Sequence, residues 1–295
     1  MFNSIGIVVV LVCVFGSFVL SGGKLAVVLH AMPYELLAVS GAAVGAFMLG
    51  NSVSIAKRTL NGVSRAFRGP HWRTADYRDL LALLFSLLLL FRKGGAAKIE
   101  NHIDEPANSS IFAAYPRLLA DAGLIEFICD YLRAMTVNLD DPHQLAEAME
   151  SDIDRHHAEE AQPVHALQAM ADGLPALGIV AAVLGVIKTM SSIDQPTDIL
   201  GAMIGGALVG TFLGVLLSYC FVGPLGAKLA QVVDEDCKPY SIVKAAIVAH
   251  AQGMPTQLSI ELARRMTPSE AAPSFAELEA SLDDAQQRFN LAPAA

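Results

Sequence analysis

The sequence predicts an all-α membrane protein: four transmembrane helices, a large cytoplasmic helical insertion between helices 2 and 3, and a cytoplasmic C-terminal helical tail. Three observations predict it. Residues of the AVILMFWYC set make up 54% of the 295 positions, 23 glycines join them, and charged residues reach only 17%, against about 25% in an ordinary soluble domain. Four apolar stretches approach the roughly 20 residues that a helix needs to cross a bilayer. Basic residues crowd one side of the second stretch, where Lys57, Arg58, Arg65, Arg68, Arg73 and Arg78 follow it, whereas Lys24 is the single Lys or Arg between the first two stretches. By the positive-inside rule the second helix ends in the cytoplasm, so both chain termini lie there.

Taken in order, the first stretch covers 2–20 and carries no formal charge. No Lys or Arg precedes it and no clean cleavage site follows, so it reads as a retained helix rather than a signal peptide. The second covers 36–51, entered through Pro33, Tyr34 and Glu35. A third apolar run at 80–91 is bounded by Asp79 and by Arg92 and Lys93. It is too short to span, and a buried helix is expected there. Transmembrane helix 3 covers 174–187, extending to Met190 past Lys188, and helix 4 covers 199–225. The expected divisions are therefore transmembrane helices 1 and 2 at 1–51, a cytoplasmic helical domain at 52–173, transmembrane helices 3 and 4 at 174–225, and a helical tail at 226–295. Leu118, Ala122, Ile125, Cys129 and Leu132 keep an apolar face at helical spacing within the insertion. Pro142, Pro163, Pro255, Pro268 and Pro273 punctuate the pattern.

The composition also excludes function classes. A net charge of −9 argues against nonspecific nucleic-acid binding, which needs a basic face. Cysteines at 13, 129, 220 and 237 make neither a CxxC pair nor a disulfide or zinc spacing. No Walker-type loop, nucleophile elbow or HExxH motif occurs, so nothing points to an enzyme or to a cofactor. Asp152, Asp154, His156, His157, Glu159 and Glu160, with Asp140, Asp141, Glu147 and Glu150 upstream, read as a solvated acidic face rather than a metal site, because they crowd around a helix instead of sharing one side of it.

Within the spans the reading places no Asp, Glu, His or Arg at mid-membrane depth; Glu35 and Lys188 fall near the outer ends. Intramembrane ionisable residues mark ion pathways, so a proton crossing here would need a carboxylate from another chain. Small residues are in surplus. Gly206, Gly210 and Gly214 recur at four-residue spacing on helix 4, Gly178 with Ala182 and Ala181 with Gly185 on helix 3, and Gly41 with Gly45 on helix 2. In lipid such rows bring helix backbones into contact, within one chain or between chains. Thr189 and Thr211 are the notable hydroxyls, each able to bond back to its own helix or to line a hydrated path. Pro175 opens helix 3 and Pro224 closes helix 4; each is a helix boundary or a hinge at the cytoplasmic surface.

These residues carry a family resemblance. GLPALGIVAAVLGVI at 173–187 resembles the third membrane helix of the MotA family of flagellar motor stator subunits. GTFLGVLLSY at 210–219, followed by Gly223, Pro224 and Leu225, resembles the fourth, and PSFAELE at 273–279 resembles the family's C-terminal signature. The similarity runs from residue 1 to about 280. It implies a homo-oligomeric ring of five copies in the inner membrane, around MotB-type subunits whose single membrane helix carries the proton-accepting Asp. Thr211 then matches the hydroxyl near the proton site. Ala182 stands where sodium-driven relatives carry Thr, which implies protons as the coupling ion. The insertion becomes the torque-delivering domain: Arg92 and Glu100 in FRKGGAAKIE at 91–100 match the charged pair that engages the rotor protein FliG, with Lys93 and Lys98 adding positive charge. Positions 87–90, all Leu here, are usually more polar in the family. Ring subunits of envelope energisers such as ExbB or TolQ share the architecture but have three spans.

Overall fold

The computed structural model describes residues 2–137 and 141–291, so Asp140 of the acidic run lies outside the described residues. The described chain is helical throughout, without strands. It runs α1 (Phe2–Leu20), α2 (Leu25–Gly50), α3 (Val53–Arg68), α4 (Thr74–Gly94), α5 (Ala96–Asp104), a 3-10 turn (Pro106–Asn108), α6 (Ser110–Ala113), α7 (Pro116–Leu119), α8 (Ala122–Thr136) and α9 (Pro142–Met190). It continues through α10 (Thr197–Leu217), a π turn (Ser218–Val222), α11 (Gly223–Ala251), α12 (Thr256–Arg264) and α13 (Phe275–Leu291).

Local chemistry sets many of these limits. The Ser52 hydroxyl caps α3 by accepting from the Ile55 N–H at 3.3 Å, and the Asp121 carboxylate caps α8 by accepting from Leu124 N–H at 3.2 Å. Gly95 ends α4 at φ +67°, its N–H donating to the Phe91 carbonyl at 2.8 Å. An L side chain there would be strained, which is why the chain turns a corner immediately after Arg92 and Lys93.

The chain forms two compact units, one from residues 1–69 with 160–232 and the other from 70–159 with 233–295. The first holds the apolar helices. Among the described residues, α2, α9 and the continuous run from Thr197 to Ala251 are long and apolar enough to cross a membrane, and Ile5–Leu20 is a shorter apolar helix. All 19 residues of α1 give about 28 Å of helix at 1.5 Å per residue, close to the roughly 30 Å hydrocarbon thickness. The outward side chains of this unit are greasy: Leu37 and Met48 of α2, Ile187 of α9 and Leu208 of α10 are all more than half exposed, as expected of surfaces that face lipid or neighbouring helices rather than water. Phe15 of α1 meets Phe212 of α10 edge-on at 5.8 Å.

The second unit is a water-soluble type of core built around α4. Leu80, Leu81, Leu83, Leu84, Phe85, Leu87 and Leu88 are buried against residues of α5, α8, α11, α12 and α13. The apolar run at 80–91 is thus a buried helix, and the leucines at 87, 88 and 90 belong to its core. Fully burying such a side chain stabilises by about 1.5–3 kcal/mol.

Three helix limits differ from those read in the sequence. The second apolar helix starts at Leu25 instead of 36, with Pro33 and Glu35 inside it. Pro175 lies inside the uninterrupted α9, and Pro224 is the second residue of α11, which continues from α10 through the π turn. Neither proline is a helix boundary.

Candidate functional site

The site is built where α9 and α10 cross. A Cβ added at Gly178 would lie 2.8 Å from the Gly210 carbonyl oxygen and 3.0 Å from Gly214 Cα, and one at Gly214 would lie 2.7 Å from the Leu174 carbonyl oxygen. One at Gly185 would meet Ala207 Cβ at 2.6 Å. Glycine is therefore required at these positions: the two backbones touch, and any side chain would force them apart. Gly206 is different, since its added Cβ would make ordinary contact with Ala31 Cβ of α2 at 3.5 Å, and around Gly41, Gly45 and Gly201 the space is open. The first group closes the chain on itself. The second leaves surface for other helices.

Ala182 and Gly210 share one layer of this crossing, with Ala182 N 3.2 Å from the position of a Gly210 Cβ, and Thr211 is the next residue on α10. The two threonines separate clearly. Thr189 is buried and its hydroxyl donates to the Gly185 carbonyl at 2.9 Å, bonded back to its own helix. Thr211 is half-buried, and among the described residues its hydroxyl has no hydrogen-bond partner. In an apolar layer an uncommitted hydroxyl is a ready donor or acceptor for something that enters.

The prolines are explained by their partners. Pro175 has no N–H to give the Ala171 carbonyl, which a helix would otherwise use. The buried hydroxyl of Ser218 donates to that carbonyl at 2.7 Å. Ser218 also begins the π turn, and the Gly223 N–H closes that turn by donating to the Ser218 carbonyl, one residue before Pro224. Both proline positions are thereby tied to one residue, which the sequence did not single out.

A second residue was misplaced in the sequence reading. Glu35 lies ten residues into α2, and its Oε2 sits 2.6 Å from where a Gly210 Cβ would be. The carboxyl group therefore occupies the layer of Ala181, Ala182 and Gly210, and the absence of an acid at depth is corrected. On an insertion scale an acid at mid-helix costs about 2.5–3.5 kcal/mol. The signal for it is the run from Leu25 to Met32, apolar except for His30, which extends the helix upstream of Pro33 instead of starting it at Leu36.

In the second unit the corner at 91–100 presents Arg92, Lys93, Lys98 and Glu100, all exposed. Arg92 and Glu100 make no ion pair with each other among the described residues. Instead the Arg92 guanidinium donates to the carbonyls of Met254 at 2.5 Å and Gly253 at 3.3 Å, in the turn that follows the C-terminal end of α11, a place where a cation is favoured. Burial, reinforced by the Arg92 charge, holds the neighbouring His250 imidazole below its ordinary value.

The acidic run is more structured than a solvated face. Glu160 accepts from Arg58 at 2.8 Å and from Arg65 at 2.7 Å, tying α3 to α9. Burial pushes the Glu160 carboxyl up, but the two guanidiniums outweigh it and hold it below the usual carboxylate range. Asp152 and Glu159 pair with Arg155, and His157 meets Asp234 at 2.8 Å. Among the described residues no group of three or more His, Cys, Asp or Glu could hold a metal ion.

Apolar helices packed backbone to backbone, with a carboxyl group in the packing layer, are those of a membrane-embedded protein. The model of the MotA/TolQ/ExbB proton channel family matches residues 120–241, and that described as Motility protein A N-terminal matches residues 4–95. Motility protein A of Salmonella typhimurium is 39% identical over 93% of this chain and 92% of its own length; chemotaxis protein LafT of Vibrio parahaemolyticus is 37% identical over 93% and 96%. The chain belongs to the motility protein A family. Its fold is similar to that in the structure of C. jejuni MotAB, at TM-score 0.71 and 18% identity over 92% of this chain and 98% of that one. It is likewise similar to the flagellar MotAB stator complex from Bacillus subtilis, at TM-score 0.66 and 18% identity over 87% and 92%.

Proposed function

We propose that this chain is the ring-forming subunit of a flagellar motor stator, coupling proton flow across the bacterial inner membrane to torque on the rotor. Its partner is a MotB-type subunit whose single membrane helix carries the proton-accepting Asp, and five copies of this chain form the ring, with both termini in the cytoplasm. The observation that carries the reading is the close packing of Ala182 against Gly210, with Thr211 next on α10, in a chain related over nearly its whole length to a motility protein. The bare backbones hold α9 and α10 in close contact, and the unbonded Thr211 hydroxyl can hydrogen-bond a carboxyl group or a water. Each elementary charge that crosses 100 mV supplies about 2.3 kcal/mol, enough to move a packed interface between two arrangements. The open glycines at 41, 45 and 201 suit contacts with neighbouring copies.

Torque leaves through the corner at 91–100, where Arg92, Glu100, Lys93 and Lys98 engage FliG. Exposed charge pairs are worth only about 0–1 kcal/mol each, which suits rapid making and breaking. Pro175 and Pro224 act as the coupling hinge, with Thr189 holding the outer part of α9. Protons are the coupling ion, and the chain needs neither a cofactor nor catalytic residues. An ExbB- or TolQ-like energiser is the other reading within the wider channel family; the apolar α1 ahead of α2 and the identity to motility proteins argue against it. The test is expression with the single-span partner in a flagellate strain lacking its own motility protein A. Restored swimming and co-purification of a partner bearing one membrane helix with a membrane Asp are expected, and failure of both removes the reading.

A further inference from the structure

Glu35 faces two places at once. On one side it lines a cavity of about 630 Å³ at the end of the membrane unit where α2 and α10 begin and α9 finishes, together with His30, Tyr34, Lys188 and Asp198. On the other its Oε2 lies against Gly210, beside Ala181 and Ala182 and one residue from Thr211. Along α10 the twelve residues from Asp198 at the cavity to Gly210 span about 18 Å at 1.5 Å per residue. Along α9 the eight residues from Met190 to Ala182 span about 12 Å. The carboxyl group therefore sits near the middle of a hydrocarbon layer roughly 30 Å thick, below a polar cavity wide enough for several waters. A carboxylate is kept at such depth for a function or for a partner charge, and no ion pair of Glu35 with Lys188 is formed among the described residues.

We propose that Glu35 is a proton-relay carboxylate, passing protons from this cavity through the Gly210 and Thr211 layer to the acid of the partner subunit. The relay rests on the stator reading and adds to it an acid of this chain's own. Each pass restores the starting state. A hydronium ion in the cavity gives its proton to a Glu35 oxygen and leaves water; the proton then moves to the partner's carboxylate, and Glu35 is charged again. Only O–H bonds are made and broken. His30, Tyr34, Lys188 and Asp198 are the charged and titratable groups that face it, and α1 contributes none.

The test measures proton flux in vesicles carrying this chain with its single-span partner. Glu35→Gln should lower the flux at least tenfold while the assembled complex is recovered in normal amount. Wild-type flux in that variant overturns the relay. If Glu35 served only as counter-ion to Lys188, Glu35→Gln combined with Lys188→Met would restore the flux, and that result also overturns the relay; persistent loss supports it. A measurement on the unaltered complex decides the matter should the Gln variant fail to assemble. Dicyclohexylcarbodiimide adds to protonated carboxyl groups shielded from water, and mass spectrometry should find it on Glu35 in proportion to blocked flux. Glu35 left unmodified overturns the proposal. If the wild-type complex itself passes no protons, the stator reading falls and the relay with it; if it does and Glu35→Gln equals it, the relay alone falls.

Discussion

Arg92 lies in the last turn of α4 beside a glycine corner and donates to the carbonyls of Gly253 and Met254, in the turn that follows α11. That geometry gives one exposed side chain two tasks under the proposed function, because a cation that ties down the turn after α11 is also displayed at the corner proposed to meet the rotor. A charge-assisted hydrogen bond contributes about 1.5–3 kcal/mol when buried and less at an exposed site, so the tether is modest. Arg92→Glu should therefore speed amide exchange around Gly253 and Met254 by about tenfold, and should abolish swimming without preventing membrane assembly. Glu100→Lys, which touches no such tether, should impair swimming and leave that exchange unchanged. Normal swimming in both would remove the torque assignment; equal exchange in both would remove the tether.

At the scale of elements, the membrane helices are held by backbone contact and by a few polar ties. The Ser218 hydroxyl stands in for the N–H that Pro175 lacks, so the two residues should be energetically coupled. Ser218→Ala leaves the Ala171 carbonyl without a donor, at a cost of about 1–3 kcal/mol. With Pro175→Ala already present, the new N–H can take that carbonyl and the serine becomes dispensable. Thermal unfolding of the purified complex should show a coupling of about 0.5–2 kcal/mol in the double-mutant cycle; additive single effects would show that the hydrogen bond is incidental. A second tie is the clamp of Glu160 between Arg58 and Arg65. Its carboxyl is depressed in the folded protein, so its stabilisation is present above the unfolded-state carboxylate pKa of about 4.3. It is lost as pH falls through the lower folded value. Two partly exposed pairs are worth about 1 kcal/mol together. Arg58→Ala with Arg65→Ala should lower the unfolding temperature at pH 7, and the difference from wild type should vanish in strong acid. A difference that persists there would assign the loss to packing of the arginine stems.

For the whole molecule, the features readable in the sequence were those that periodicity and composition dictate. The apolar runs at 174–190 and 199–225 gave membrane helices, and the run at 80–91, too short to span, gave the core helix of the second unit. The differing helix limits share one cause. A proline in water marks the end of a helix, but Pro33, Pro175 and Pro224 lie inside helices. Where the structure names the compensation, it is another segment: Ser218 satisfies the carbonyl freed by Pro175. Such a tie is made between distant residues and leaves no trace in local spacing. Starting the second helix at Leu36, after Pro33, also puts Glu35 at the surface instead of at depth. One consequence can be tested on the intact motor. The layer around Ala182 supplies a methyl group and backbone beside the Glu35 carboxyl, which is a sparse oxygen set for a metal cation and sufficient for a proton, which needs only one acceptor at a time. Swimming driven by this chain should persist when sodium is replaced by potassium and should stop when a protonophore collapses the proton gradient. Cells that stop on sodium removal and tolerate the protonophore would show that this layer, despite Ala182, strips and passes a hydrated metal ion.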